Sequence, residues 1–214
     1  MLRALVALFV VAPLAVAAPP PMGAKKADAL YFPTKVGTKR VYEVTFNGTT
    51  TELTIVVTAV VEKDGVWRVT EESDDPTSAV AGGKSVMTNE VSDKGVTLVA
   101  RGAKDLPKPQ PLLKLPAKSG DTWDFDPAPA NRSAGLQSEA TTYVVGKEED
   151  VETPAGKFKA VSVESKRKNP KAERVAGPVA VTQWYAVGAG KVKAVSKIGD
   201  RERTMVLKSF TPAK

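Results

Sequence analysis

Residues Lys39 to Glu72 read KRVYEVTFNGTTTELTIVVTAVVEKDGVWRVTEE, and this stretch decides the fold. Apolar residues alternate in its first segment, so Tyr42, Val44 and Phe46 share one face of a strand. Asn-Gly at 47–48 and Asp-Gly at 64–65 favour tight hairpin turns, because these residues tolerate positive φ. The stretch therefore predicts three consecutive antiparallel strands, over Lys39 to Phe46, Thr50 to Glu62 and Val66 to Glu72.

The middle strand of this stretch is apolar on both faces. One face is predicted to carry Leu53, Ile55, Val57, Ala59 and Val61, and the other Thr54, Val56, Thr58 and Val60. A strand that is apolar on both sides needs cover on each, and no helix is predicted to supply it. Either the sheet folds over on itself, or one face lines a cavity.

Short strands separated by turn residues continue to the end of the chain. Four prolines between Ala103 and Ser119 are expected to exclude a strand there. Further strands are predicted at Lys84 to Val91, Val96 to Arg101, Trp123 to Phe125, Thr141 to Lys147, Lys157 to Glu164, Val179 to Ala186, Lys191 to Lys197 and Glu202 to Phe210. The sequence thus predicts an all-β fold, an antiparallel meander of about ten strands with little or no internal helix. A meander of this length curves into a half-barrel or β-clam.

Composition supports this fold class and excludes several chemistries. The 214 residues include 30 Val and 19 Thr but only 13 Leu and 2 Ile, an excess of β-branched residues that favours sheet. The chain has no His and no Cys. Catalytic Ser-His-Asp and Cys-His arrangements, His or Cys metal ligands and disulfides are therefore excluded, and no cofactor is expected.

The first residues have the pattern of a signal peptide. Arg3 precedes an apolar run from Leu5 to Val16, and Ala15-Val16-Ala17 is a small-residue cleavage site. We expect residues 1–17 to be removed, residues 18–28 to form a flexible leader, and residues 29–214 to form one domain. The mature chain would be exported, periplasmic or extracellular, and not lipid-anchored, because no Cys follows the apolar run. No later segment reaches transmembrane length.

Charged clusters are interpreted as surface features. The acidic clusters lie near expected turns and lack calcium-loop spacing, so they predict neither a metal site nor a carboxylate pair for catalysis. They are Glu71-Glu72 with Asp74-Asp75, Asp121 with Asp124 and Asp126, and Glu148-Glu149-Asp150. The basic run Lys166-Arg167-Lys168, with Lys171 and Arg174, contains no aromatic residue for base stacking and predicts no nucleic-acid partner.

Aromatic residues are the candidates for a ligand site. In strands such residues serve core packing or line a cavity. The candidate ligand-binding residues are Tyr42, Trp67, Trp123 and Trp184. Tyr42 and Trp184 are expected in the sheet interior.

A short internal similarity accompanies these candidates. Phe32 to Gly37 (FPTKVG) and Leu115 to Gly120 (LPAKSG) share the spacing apolar-Pro-x-Lys-x-Gly, and each precedes an aromatic-bearing strand. The two segments either introduce two similar halves of one curved sheet or resemble each other by chance.

Three hairpin motifs carry a resemblance to known proteins. They are Tyr31-Phe32-Pro33 through Gly37, Val151 to Phe158 (VETPAGKF) with Val161 and Val163, and Trp184-Tyr185-Ala186 with Gly188, Gly190 and Val192. Together they resemble a group of uncharacterised exported bacterial β-rich proteins, which is distantly similar to half-barrel lipoprotein carriers. Those carriers hold an acyl chain in an open curved sheet. The present chain lacks their lipoprotein Cys and any visible helical lid.

Two functions remain open at this level. The first is a non-enzymatic exported protein that binds an apolar or amphipathic ligand, such as a lipid, on a curved sheet. The second is a structural or interaction protein of the cell envelope whose basic surface contacts an anionic polymer. The predicted mature chain carries a net charge of +6, because cleavage removes one of 31 basic residues and leaves 24 acidic ones.

Overall fold

The computed structural model describes residues 30–74, 84–127, 140–168, 180–198 and 201–213. Within these ranges the chain forms twelve β-strands. They are β1 Lys39–Phe46, β2 Thr49–Lys63, β3 Val66–Asp74, β4 Lys84–Ser92, β5 Gly95–Arg101, β6 Lys104–Lys114, β7 Thr122–Phe125, β8 Thr141–Thr153, β9 Gly156–Arg167, β10 Ala180–Ala186, β11 Gly190–Ile198 and β12 Arg201–Thr211. The predicted signal peptide (1–17) and leader (18–28) lie outside the described residues. No helix in the described part is long and apolar enough to cross a membrane.

The twelve strands form one antiparallel sheet that is nearly closed into a barrel. Their order is β6-β5-β4-β3-β2-β1-β12-β11-β10-β9-β8-β7, so the first strand pairs with the last. The two edge strands, β6 and β7, are consecutive in the chain. The all-β antiparallel meander is therefore confirmed, with twelve strands where about ten were expected and a more nearly closed curve than a half-barrel.

The exclusion of a strand between Ala103 and Ser119 was wrong, because β6 lies there. The strand is at an edge, so the missing N–H groups of proline need not interrupt pairing on a second side. Its pairing with β5 also passes from Asp105 directly to Gln110, and this irregularity contains Pro107 and Pro109. Pro107 and Pro109 thus occupy positions that the ladder with β5 does not use, whereas Pro111 lies opposite Thr97.

A β-bulge in β2 explains why that strand looks apolar on both faces. The pairing with β3 skips Thr58, between Val57 and Ala59. Beyond the extra residue the two faces exchange. Val57 and Val61 were predicted to share one face, with Val60 on the other. Instead Val60 packs against the core that contains Val57, and Val61 is 64% exposed.

The two FPTKVG-like segments begin two similar halves of the barrel. Each makes the same three backbone hydrogen bonds, and each has its glycine at positive φ, +89° at Gly37 and +93° at Gly120. In the first half the bonds are Gly37 N to Val57 O (2.8 Å), Val57 N to Thr38 O (3.0 Å) and Thr38 N to Lys35 O (3.2 Å). In the second half they are Gly120 N to Val145 O (2.9 Å), Val145 N to Asp121 O (2.8 Å) and Asp121 N to Lys118 O (2.9 Å). The chain thus contains two six-stranded halves, β1–β6 and β7–β12, whose first strands are preceded by segments with the same hydrogen bonds.

The two junctions between these halves differ. At one junction β1 and β12 pair along their length. At the other, side chains of β6 reach across: Gln110 Nε2 donates to the hydroxyl of Tyr143 on β8 (2.6 Å), and Lys108 Nζ donates to the carbonyl of Asp126, the residue after β7 (2.6 Å). We call this second junction the β6–β7 seam. Side chains cross this seam, but β6 and β7 are not neighbours in the strand order and form no backbone hydrogen-bonded ladder.

The long β8–β9 hairpin covers part of the apolar face of the sheet, for which the sequence predicted no helix. At its tip, Ala155 N donates to the Leu207 carbonyl on β12 (3.3 Å). Val151 and Phe158 of the same hairpin join an apolar cluster that includes Tyr42 and Leu207. The hairpin therefore covers the core beside the β1–β12 junction.

Candidate functional site

A cavity of about 500 Å³ lies within the barrel. Its walls come from β1–β6 and β10–β12 together with Phe32, and its apolar surface is formed mainly by Leu53, Ile55, Met87, Leu112, Val181 and Met205. The polar residues on its walls are Arg40, Glu71, Ser73, Ser85, Asn89, Arg101, Lys191, Ser196 and Arg203. The cavity thus combines an apolar wall with a cluster of charged groups.

A buried ion pair stands at the centre of the charged cluster. Arg40 on β1 and Glu71 on β3 are in direct contact, with side chains 3% and 9% exposed. The guanidinium also lies 5.2 Å from the ring centroid of Phe32. Burial lowers the pKa of Arg40, but the Glu71 carboxylate and the Tyr42 hydroxyl raise it by more, so Arg40 remains a cation.

Strand alternation separates Glu71 from its neighbour Glu72. Glu71 points into the barrel, whereas Glu72 is solvent-accessible and accepts a hydrogen bond from Lys84 Nζ on β4 (2.8 Å). The two adjacent acids therefore do not share a site, as their positions on one strand predict. Glu71 is held instead by a partner 31 residues earlier.

The turn before β11 approaches Arg40 closely. A Cβ placed on Gly190 would lie 2.8 Å from Arg40 Nη1 and 3.1 Å from Pro33, and Gly190 has φ +77°. Both the backbone conformation and the contact require glycine here. The β10–β11 turn therefore helps to position the guanidinium.

Lys191 follows this turn and lies on the inner face of the barrel. It pairs with the buried Tyr185, and its backbone carbonyl accepts a hydrogen bond from the Tyr42 hydroxyl (2.8 Å). Burial, reinforced by the nearby charge of Arg40, lowers the pKa of Lys191 from 10.5 to about 8, against the opposing effect of Glu71. Burial also raises the pKa of Tyr42 to about 12, so this phenol stays neutral at physiological pH.

Two aromatic rings pack together in the core of the second half. Trp123 and Tyr143 stack there with ring centroids 5.0 Å apart and planes 4° from parallel. Trp123 stands three residues after Gly120, as Arg40 stands three residues after Gly37. Trp123 thus has the position in the second half that Arg40 has in the first, and Arg40 lines the cavity whereas Trp123 packs in the core.

The structure brings one of the four aromatic candidates to the cavity. Tyr42 lines it. Trp67 and Trp123 pack in the apolar core. Trp184, which was expected in the interior beside Tyr42, is partly exposed, donates through Nε1 to Glu149 and has Lys193 Nζ 5.0 Å from its ring centroid. The three tryptophans do not line this cavity, so a ligand role for them stays a prediction.

Sequence reasoning missed the charged lining. Arg40 has the same strand parity as Tyr42 and Val44, so the alternation that placed those residues inside also places Arg40 inside. A cation on an apolar face is a sign of a buried pair or a ligand contact. The sequence contains this sign, but it does not say that Glu71 is the partner.

The other charged clusters lie at the surface of the described structure. Asp124 accepts a hydrogen bond from Thr142 (2.7 Å) and pairs with Lys168 Nζ (2.7 Å), and Lys166 pairs with Glu164 (2.9 Å). The basic run is thus partly neutralised by local acids, and its continuation at 171 and 174 lies outside the described residues. Among the described residues no three or more carboxylates gather as a group that could hold a metal ion.

Comparisons with known proteins agree at the level of the fold. No protein-family model matches the chain, and no curated protein matches it in sequence. A solved structure from Bacteroides fragilis, described as an exported protein with a YmcC-like fold, is 16% identical, covers 86% of this chain and 99% of its own, and has a TM-score of 0.50. A second, from Parabacteroides distasonis and described as a lipoprotein, gives the same values. These likenesses show that the chain shares its barrel-like fold with those two bacterial proteins.

Proposed function

We propose that the chain is an exported, non-enzymatic protein that binds an apolar or amphipathic ligand inside its barrel. The observation that carries this proposal is the cavity of about 500 Å³ with its apolar wall. Sites for small molecules generally enclose about 300–1,000 Å³ and combine apolar walls with a few polar groups. The cavity has this size and this composition, and it takes the place of the concave sheet surface expected from the sequence.

Export is supported by the N-terminal sequence and by the two structural neighbours. The neighbours are described as an exported protein and a lipoprotein. For the present chain we propose cleavage after Ala17 and release without a lipid anchor. Expression in a bacterial host and N-terminal sequencing of the released protein should give Ala18 as the first residue.

A binding role without catalysis is supported by the residue types at the cavity. The chain contains neither His nor Cys. Glu71 is the one carboxylate on the described cavity wall, and it is already paired with Arg40. A hydrolase working through two carboxylates would need a second acid there.

Ligand binding can be tested with a neutral apolar dye, N-phenyl-1-naphthylamine, and with native mass spectrometry of gently purified protein. An Ala194→Phe variant fills the cavity from β11, and a Met87→Trp variant obstructs it at a residue that is 36% exposed and tolerates bulk. Val61→Phe adds similar volume on the outer face and is the control. We expect dye binding by the wild type and the control, and at least a tenfold loss in the two cavity variants.

Two results would count against this proposal. They are equal dye binding in all four proteins, and no dye binding by the wild type together with no co-purified small molecule. If the protein instead adhered to acidic polysaccharide with a steep salt dependence and bound no dye, a role in contacting anionic envelope polymer would replace the proposal.

A further inference from the structure

The charges on the cavity wall do not balance. Among the described lining residues there are four cations and one carboxylate: Arg40, Arg101, Lys191, Arg203 and Glu71. Glu71 is engaged by Arg40. The partners of the other cations therefore decide whether charge in the cavity is left uncompensated.

Two of these cations lack an ionic partner. Within the described ranges, Lys191 and Arg101 make no ion pair or side-chain hydrogen bond. Burial lowers the pKa of both groups, which is the expected response of a cation removed from water without a counter-ion. Both side chains are partly buried, and a cation withdrawn from water without a counter-ion destabilises a protein, so a cavity that retains two of them is suited to an anion.

Two further polar atoms in the cavity are unsatisfied. Arg40 Nε and Asn89 Oδ1 are buried and have no hydrogen-bond partner among the described residues. Asn89 is only 4% exposed, and its side chain lines the cavity beside Met87 on β4. Buried polar groups in native proteins are almost always hydrogen-bonded, so these atoms indicate polar ligand atoms or ordered water at the charged side of the cavity.

The remainder of the wall would accept a hydrocarbon. Leu53 and Ile55 on β2, Leu112 on β6, Val181 on β10 and Met205 on β12 present apolar side chains to the same space. The wall therefore offers different chemistry to the two ends of an amphipathic molecule. A neutral polar head group would leave Lys191 and Arg101 without a counter-ion, and a cationic one would add to their charge.

We propose that the ligand of this cavity is an aliphatic chain bearing one acidic head group, a carboxylate or a phosphate monoester, with the acid held by Lys191 and Arg101. This inference rests on the proposed function, because it specifies the ligand of the same cavity. The chain of the ligand lies along Leu53, Ile55 and Met205. The Arg40–Glu71 pair forms part of the cavity wall at the end that holds the acidic head group.

The test compares amphiphiles that share a twelve-carbon chain: lauric acid, dodecyl phosphate, dodecanol and dodecylamine, with inorganic phosphate as the head group alone. Affinities are measured by displacement of N-phenyl-1-naphthylamine and, for inorganic phosphate, by calorimetry. A charge-assisted hydrogen bond corresponds to about a 10- to 100-fold change in affinity. We expect at least one of the two acids to bind about tenfold or more tightly than dodecanol and dodecylamine, and inorganic phosphate to bind weakly. The stronger of the two acids identifies the head group.

Substitution locates the head group. Lys191→Met should weaken binding of the preferred acid about tenfold or more and leave dodecanol binding within about twofold. Lys193→Met is the matched control, because Lys193 is two residues along β11, contacts the Trp184 ring and does not line the cavity. Arg101→Met is a second variant with the same expected pattern, should Lys191→Met fold poorly.

The pH dependence gives an independent readout. The charged and titratable groups around Lys191 are Arg40, Glu71, Arg101, Arg203 and the phenols of Tyr42 and Tyr185. Guanidinium groups do not lose their proton in this pH range. The two phenols stay neutral between pH 7 and 9, because burial raises the pKa of both tyrosines. Lauric acid should therefore bind more weakly at pH 9 than at pH 7 in the wild type, and equally at both in Lys191→Met.

The outcomes separate this inference from the proposed function. Equal affinity for dodecanol and both acids would overturn the acidic head group while leaving a site for apolar ligands. Preference for dodecylamine, or equal effects of Lys191→Met and Lys193→Met, would also overturn it. If inorganic phosphate bound as tightly as dodecyl phosphate, the aliphatic part would be refuted. Failure of all five compounds and of the dye would overturn both proposals.

Discussion

Removing the Glu71 carboxylate should destabilise the protein more than any single surface substitution. The perturbation is Glu71→Gln, which keeps the shape of the side chain and removes its charge. Arg40 and Glu71 are 3% and 9% exposed, so the substitution leaves a buried guanidinium without its counter-ion. Breaking a buried ion pair in this way costs about 3–5 kcal/mol. For a domain of this size that corresponds to a fall in melting temperature of about 6–20 °C.

The cavity predicts an asymmetry between the two partners. Losing Glu71 leaves Arg40 and Lys191, which repel each other, without the carboxylate between their charges, whereas losing Arg40 leaves Glu71 close to the cation of Lys191. Arg40→Met should therefore cost less than Glu71→Gln. The double variant Arg40→Met/Glu71→Leu removes both buried charges and should be more stable than Glu71→Gln alone, because two apolar groups replace a desolvated pair.

Urea unfolding followed by tryptophan fluorescence measures these differences. The matched control is Glu72→Gln, which breaks the neighbouring pair with Lys84 on the outer face, where the side chains are 65% and 39% exposed. An exposed pair is worth about 0–1 kcal/mol. A cost for Glu71→Gln as small as that of Glu72→Gln, or smaller than that of Arg40→Met, would refute the account of the buried pair.

Three further predictions concern the same region and the seam. Because folding lowers the pKa of Lys191 from 10.5 to about 8, the unfolded chain should bind more protons than the folded protein between pH 8 and 10. The unliganded protein should therefore gain up to about 3 kcal/mol of stability as the pH rises across this window, and urea unfolding of Lys191→Met should show a smaller gain. Gly190→Ala should cost more stability than Gly188→Ala, because both glycines have positive φ but only at residue 190 would a Cβ meet other residues, 2.8 Å from Arg40. A thermal melt showing equal losses would assign the whole effect to backbone strain. Gln110→Ala should cost about 0.5–1.5 kcal/mol and accelerate amide hydrogen exchange in β7, because the side chain reaches across the β6–β7 seam to Tyr143 on β8, which pairs with Trp123 of β7. Unchanged exchange would show that this bond does not hold the seam.

Much of the fold follows from local sequence. Period-two alternation with Asn-Gly and Asp-Gly turns predicted the first three strands, and the structure places Asn47 and Asp64 at φ 51° and 54° in those turns. Such turns bring sequential strands together, so a chain built from them forms a meander. The strand that was missed, β6, is tolerated only because of its place at the edge of the sheet, and edge position is a property of the whole sheet.

The site was less accessible from sequence for a related reason. The inner position of Arg40 follows from alternation, but its pairing with Glu71 depends on the side-by-side order of β1, β2 and β3 and on the bulge that skips Thr58. Lys191 comes to the same cavity only because β12 lies between β1 and β11. Contacts between distant strands depend on registers that local pattern does not encode.

The β6–β7 seam has a consequence for how copies of this protein behave in a crowded compartment. An unpaired strand edge is a template on which another chain can add a strand, and repeated addition leads to fibres. Here β6 carries Pro107, Pro109 and Pro111, which have no N–H to offer, and β7 is only four residues long. Both edges are therefore poor templates for another strand. The barrel can leave β6 and β7 without a hydrogen-bonded ladder between them and still not aggregate with other copies.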